Sequence, residues 1–433
     1  MSLAEANAAV PALNLEKMLT ILAGKRPSTV LLDIPSFWPK YSNIIANQPK
    51  AAIQGFMAVK ATIGLIDHVE SPELRKLFKP SHPGERGLEC VDSVTGMASE
   101  LVDSYFVRAA YNEQSRKSVD KIATNVIAAF KKRVGELEWL GDESRQRAVK
   151  KAENIVQNVG YRTDKTINPD VTSGESLATY YRGLNITTAS HFTNVLSGMR
   201  HSTGKAYAQF DQPMDLKSFI KPVSGPNALY YMAANSINMP AGITQLPAFH
   251  HELPSYALYG GVGSFIGHEI THGFDSNGRK WNENAAYAKW WDDKSSNNFD
   301  DLTQCFIKQY DSYEVDVPSG KANVNGTFTL AENISDAGGL RAAYDAWLAE
   351  RKAMPSSWNQ DMPGLDMFTH EQLFFMMWAN NWCSSYSEST KESMLTSDNH
   401  APASARLALT AQNSRGFKEA FKCKTKEPTC EIF

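Results

Sequence analysis

Two histidines stand four residues apart in "FIGHEITHGFD", the stretch from Phe265 to Asp275, and a glutamate, Glu269, directly follows the first. On a helix, residues i and i+4 share a face one turn apart. His268 and His272 can therefore aim two imidazoles at one tetrahedral zinc ion. Glu269 falls on a neighbouring face, where it reaches a water on the metal rather than the metal and can act as general base. The pattern is short, however, and a helix can carry the same letters without a metal. A histidine pair needs a third ligand to make a site.

About sixty residues on, "LAENISDAGGLRAAYDAW" repeats the four-residue spacing with Glu332 and Asp336. Glu332 can be the third protein ligand, leaving a fourth position open for water as a catalytic zinc requires. Asp336 can accept the free ring N–H of a ligand histidine, His268 by expectation, which fixes the tautomer and raises ligand basicity. Alone, such an acidic pair reads more readily as a solvated helix face. The flanking Ala, Ile, Leu and Gly residues instead point to a buried helix, ended or kinked near Gly338 and Gly339, and two carboxylates in such a helix need a cation.

The elements that must hold these residues are mostly helical. In "KSVDKIATNVIAAFKKRVGELEWL", Val119, Ile122, Val126, Phe130, Val134 and Leu137 recur three or four apart, one buried stripe on an amphipathic helix. A second helix is expected after Asp142, capped by it, carrying Val149, Ala152, Ile155, Val156 and Val159 and ended by Gly160. Pro222, Gly225 and Pro226 mark a boundary near residue 220, beyond which "YYMAANSINMPAGI" reads as strand and turn. Further helices are expected around 262–273, 331–349 and 368–387.

The bulk numbers narrow the function class. The chain has 433 residues, 42% apolar and 21% charged, enough for two or three domains with a sizeable core. A net charge of −3 gives no footprint for nucleic acid. No apolar run is long enough for a membrane span, and the opening residues do not read as a signal peptide. Of the five cysteines Cys90, Cys305, Cys383, Cys423 and Cys430, at least one has no partner within the chain.

Several separate motifs, "NALYY", "PAGI", "GHEITHGFD", "AENISDAGG" and "HAPASAR", occur in an order and spacing that resembles the neprilysin, or M13, family of zinc metallopeptidases. The resemblance runs from about residue 35 to the C-terminus and is strongest after residue 225. It implies a mainly α fold: a thermolysin-like zincin catalytic domain with a small β-sheet over residues 221–433, and a partial helical capping domain over residues 1–220. It implies one zinc ion per chain held by His268, His272 and Glu332, with Glu269 as catalytic base and Asp336 as the acceptor behind a ligand histidine.

By the same resemblance His400 steadies the oxyanion of the tetrahedral intermediate, and Arg406 binds a substrate carbonyl or carboxylate. Asn227 and Ala228 hydrogen-bond the substrate backbone as an added strand. Phe249, Phe265 and Trp382 line the pocket for the side chain after the scissile bond, which implies cleavage of oligopeptides on the amino side of large hydrophobic residues. The resemblance also implies an extracellular or membrane-associated setting and a Cys305–Cys430 disulfide.

The chain departs from the family in two respects. Leu229 stands where many relatives carry an aromatic residue. The N-terminal part of the usual ectodomain is missing, and with it the cysteines that Cys90, Cys383 and Cys423 would pair with. The chain therefore reads as a C-terminal portion, with an intact metal site in a less stable protein. The competing expectation is a truncated relative that binds peptides without cutting them. Of the sequons, Asn185 and Asn325 fit a secreted protein, while Asn333, beside Glu332, is not expected to carry a glycan.

Overall fold

The computed structural model describes residues 1–30, 32, 34, 36–69, 71–77, 85–163, 167–210, 212–355 and 360–433. The chain forms two compact units. The first comprises residues 1–102 and 177–214, and the second residues 103–176 and 215–433. The helices Glu113–Gly135 and Asp142–Glu153 thus belong to the same unit as the motif-bearing segments.

In the second unit, α1 (Glu113–Gly135) starts on an Asn112 cap whose side chain accepts from the Ser115 N–H. Its stripe is buried as the periodicity requires: Val119, Ile122, Val126, Phe130 and Val134, with Leu137 just beyond, are all at most 4% exposed. Each such side chain contributes about 1.5–3 kcal/mol relative to exposure. α2 (Asp142–Glu153) begins on Gly141, which makes no side-chain cap, so Asp142 is its first residue instead of its cap. There it still favours the positive end of the helix dipole.

The second helix is shorter than its apolar pattern suggests. It ends at Glu153, and Val156–Gly160 forms strand β1. β1 runs parallel to β3 (Ser236–Pro240), with Val156 opposite Ser236 and Gly160 opposite Pro240. The spacing of Ile155, Val156 and Val159 serves a short buried strand as well as a helix, and pairing with a wholly buried β3 decides it. β2 (Leu229–Tyr231) pairs antiparallel with β3 on the other side, giving the order β1-β3-β2 with β2 at an edge. Residues Glu314–Val317 and Gly320–Asn323 form a separate hairpin.

The motif helices are α3 (Ser264–His272) and α4 (Leu330–Ala353). α4 runs unbroken through Gly338 and Gly339, contrary to the expected kink. Those glycines serve a close approach: a Cβ on Gly339 would lie 2.3 Å from the His268 backbone nitrogen, and one on Gly267 would lie 2.3 Å from the Gly339 carbonyl oxygen. The two backbones touch where the ligands project. α5 (His370–Asn380) starts on a Thr369–Gln372 capping box, and α6 (Ala403–Asn413) starts within "HAPASAR", directly after Pro402. Cys305 and Cys430 are bonded, as expected, tying the C-terminal segment to the helix Asp293–Asp311. Cys90, Cys383 and Cys423 are free thiols.

The first unit is helical, with a small core of Leu3, Ala6, Val10 and Leu15 and with Trp38 packed against it. Its helix Leu3–Ala9 carries a full capping box between Ser2 and Glu5. Its helix Lys50–Leu65 buries no residue. Among the described residues, no helix is long and apolar enough to cross a membrane.

Candidate metal centre

α3 presents His268 and His272 on one face, their Nε2 atoms 3.0 Å apart. α4 brings Glu332 to the same point: its Oε2 lies 3.2 Å from His268 Nε2 and 3.4 Å from His272 Nε2. The edge of a tetrahedron with zinc–ligand bonds of about 2.0 Å is about 3.3 Å. The three atoms therefore form one face of such a tetrahedron. Among the described residues, this is the one His, Cys, Asp and Glu group close enough to hold a metal ion.

The far sides of both rings are held by carboxylates. His268 Nδ1 lies 2.9 Å from Asp336 Oδ1, as the four-residue spacing on α4 implies. His272 Nδ1 lies 2.7 Å from Asp275 Oδ2 and 3.0 Å from Ser335 Oγ. These partners favour the proton on Nδ1 and leave the Nε2 lone pairs facing each other and the buried Glu332 Oε2. Three converging lone pairs repel unless a cation sits between them, so this donor set fits a zinc ion.

The electrostatics point the same way. Burial disfavours a charged His272, but Asp275 and Glu332 outweigh it and raise its pKa well above the ordinary value. Burial also works against the Glu332 carboxylate, yet His268, His272 and His400 hold its pKa far below the usual range. Burial would likewise raise Asp336, and Arg406 brings it down. The pocket attracts positive charge, and Glu332 and Asp336 stay ionised.

The remaining expected residues fall into two groups. Glu269, Asn227, Ala228, Phe265, Trp382, His400 and Arg406 all line one cavity of about 490 Å³ with the three ligand candidates, a volume usual for a ligand site. Asn227 and Ala228 lead into β2, whose outer edge is not paired with another described strand. Phe249 stands apart. It is 2% exposed, packed in the core, and absent from the cavity wall. Trp378, Ile243 and Leu340 supply apolar wall instead.

Two residues have partners that the sequence did not indicate. The Arg406 guanidinium donates through Nε and Nη2 to both oxygens of Asp336, at 2.7 and 2.6 Å, and lies 4.2 Å above the Trp382 ring. The fork expected to meet substrate is thus spent largely on the carboxylate behind His268, leaving Nη1 for other contacts. His400 Nε2 lies 3.2 Å from Glu332 Oε2, and its Nδ1 lies 2.8 Å from Asp398 Oδ1. Glu332 raises its pKa, with burial working the other way.

Sequence reasoning missed Asp275, Ser335, Asp398 and Asn399. Asn399 Nδ2 donates to Glu332 Oε1 at 2.9 Å, which leaves Oε2 to face the imidazoles. Asp275 was legible in principle: it closes the same quoted motif, three residues after His272.

Comparison with known proteins gives a consistent result. Residues 1–162 and 227–431 match the N-terminal and catalytic models of peptidase family M13. Human neprilysin is 31% identical over 402 residues, 91% of this chain and 52% of that protein. Human membrane metallo-endopeptidase-like 1 is 35% identical over 349 residues, 79% of this chain and 43% of that one. The chain thus spans about half the length of the relatives it matches. Among solved structures, the Mycobacterium tuberculosis zinc metalloprotease Zmp1 in complex with an inhibitor superposes with a TM-score of 0.83 at 24% identity, covering 100% of this chain and 64% of that one. PepO from Lactobacillus rhamnosis gives 0.80 at 21% identity, covering 100% and 65%. At these identities the structures speak for the fold: a mainly α zincin.

Proposed function

The chain belongs to peptidase family M13, and from that premise we propose that it is a zinc-dependent endopeptidase of oligopeptides, cutting on the amino side of large hydrophobic residues. The observation that carries this reading is the triangle of His268 Nε2, His272 Nε2 and Glu332 Oε2, with edges of 3.0–3.4 Å and both rings backed by carboxylates. Held by these residues, zinc would supply Lewis acidity toward the scissile carbonyl and toward water.

The chain's own residues do the rest. Glu269, on the cavity wall beside the ligands, takes the proton of the attacking water and passes it to the leaving amine. His400 donates to the oxygen on which negative charge develops; Glu332 against its Nε2 and Asp398 against its Nδ1 favour the imidazolium, in which both ring nitrogens carry a hydrogen. An extended peptide adds along the open edge of β2, positioned by Asn227 and Ala228. Phe265 and Trp382, with Trp378 and Leu340, take the side chain that follows the scissile bond. Arg406 holds Asp336 on His268, and its remaining nitrogen points the substrate carbonyl.

In this reading residues 221–433 carry the catalytic residues and residues 1–220 include a partial helical cap, in an extracellular or membrane-associated setting. The test is a fluorogenic peptide with a large apolar residue after the cleavable bond, assayed with and without a zinc chelator. Glu269→Gln is expected to keep its zinc and lose at least about 10²-fold in turnover, the usual worth of a general base. A variant as active as the parent would refute the assignment.

A further inference from the structure

Lys151, on α2, is 0% exposed, though ionisable groups are almost never fully buried without a purpose-built environment. Its Nζ donates to three backbone carbonyls: Gly273, Gly278 at 2.8 Å and Trp281 at 2.6 Å. All three belong to the stretch that directly follows α3. Burial draws the Lys151 pKa down to about 7, yet three carbonyls take three N–H bonds, which only the ammonium form can give. The rings of Phe274 and Trp290, with centroids 5.1 and 5.7 Å from Nζ, face the same charge.

The stretch so gathered carries Asp275, itself fully buried. Asp275 Oδ1 accepts from the backbone N–H of Asn277 and Gly278, both at 2.7 Å, while its Oδ2 lies on His272 Nδ1. The turn also folds tightly back onto the end of α3: a Cβ on Gly278 would lie 1.8 Å from the His272 carbonyl oxygen. Lys151 is anchored in turn, its own carbonyl accepting from Asn235 Nδ2 at 3.0 Å. Thus one ammonium closes the loop of backbone that aims the Asp275 carboxylate, and the carboxylate aims the imidazole.

We propose that Lys151 is a positioning residue of the metal centre: it locks the 273–281 turn so that Asp275 holds His272 in its ligand orientation. This rests on reading the His268–His272–Glu332 group as a zinc site. It adds that the affinity of that site depends on a side chain that touches neither the metal nor any ligand.

The test uses the full chain and zinc itself. Lys151→Met keeps most of the side-chain volume and removes the three donors. Zinc affinity is read by chelator competition well below the melting temperature, and the visible spectrum of the cobalt-loaded protein reports ligand geometry. Val134→Ala, a core truncation on α1, controls for loss of stability alone. We expect zinc binding about 10–100-fold weaker in Lys151→Met, with an altered cobalt spectrum, and parent-like values in Val134→Ala. If Lys151→Met fails to fold, Lys151→Gln, which retains two donors, takes its place with a smaller shift in the same direction. A folded Lys151 variant with parent affinity and spectrum overturns the proposal alone. A parent that binds no zinc overturns the zinc reading and this proposal together.

Discussion

The first unit leaves large apolar side chains in water, whereas the second buries ionisable ones. The helix Lys50–Leu65 buries nothing, and its Phe56 and Met57 are 60% and 64% exposed. α4 buries Glu332, Asp336 and Glu350 along with Trp347 and Leu340. Both helices are rich in apolar residues, so hydrophobicity alone does not separate them. What separates them is compensation. Glu332, Asp336, Asp275 and Lys151 each have an opposite charge, a ring nitrogen or a set of carbonyls against them, and removing one member strands the others. The exposed residues of the first unit have no such dependants.

This contrast is sharpest at Asp336, which answers to both His268 and Arg406. Asp336→Ala leaves a buried guanidinium unpaired, a change that typically costs about 3–5 kcal/mol. It also frees a ligand ring, at about 10–100-fold in metal affinity. Chemical denaturation and chelator competition on the same protein read both effects. A variant with parent stability would mean that the buried charges are not mutually compensated.

A smaller effect is expected from Gly339→Ala. The new methyl meets the backbone of α3, which cannot yield as a flexible side chain could. Overpacking of this kind costs about 1–3 kcal/mol. A urea midpoint unchanged from the parent would show that the two helices have slack at their point of closest approach. The smallest effect belongs to the first unit: Met57→Ser should move the same midpoint by less than about 0.5 kcal/mol. A loss of 2 kcal/mol there would erase the contrast between the units.

Much of the site was legible in the sequence because its information is local. A four-residue spacing becomes a shared helix face whatever surrounds it, so His268, His272, Glu332 and Asp336 could be placed before any tertiary contact was known. Residues whose role depends on long-range packing were harder. Ile155, Val156 and Val159 fit a helix as well as a strand until β3 is present to pair with them. Gly338 and Gly339 suggested a break, since glycine weakens helices, whereas the space between α3 and α4 demands them.

Phe249 looked like cavity wall and is core, because an aromatic side chain alone does not say which side of a wall it lines. Arg406 read as a free fork because its carboxylate partner lies seventy residues away in the chain. Lys151 gave no signal at all: its partners are backbone carbonyls, which no side-chain pattern records.

The central claim is that three side chains from α3 and α4 hold one zinc ion. It is tested most directly by metal content after equilibration with zinc and removal of excess, measured on the parent and on Glu332→Ala, with helical circular dichroism as the check on folding. The account predicts about one zinc per parent chain and almost none in the folded variant. A folded parent without zinc, or a variant that retains it as fully as the parent, would contradict it.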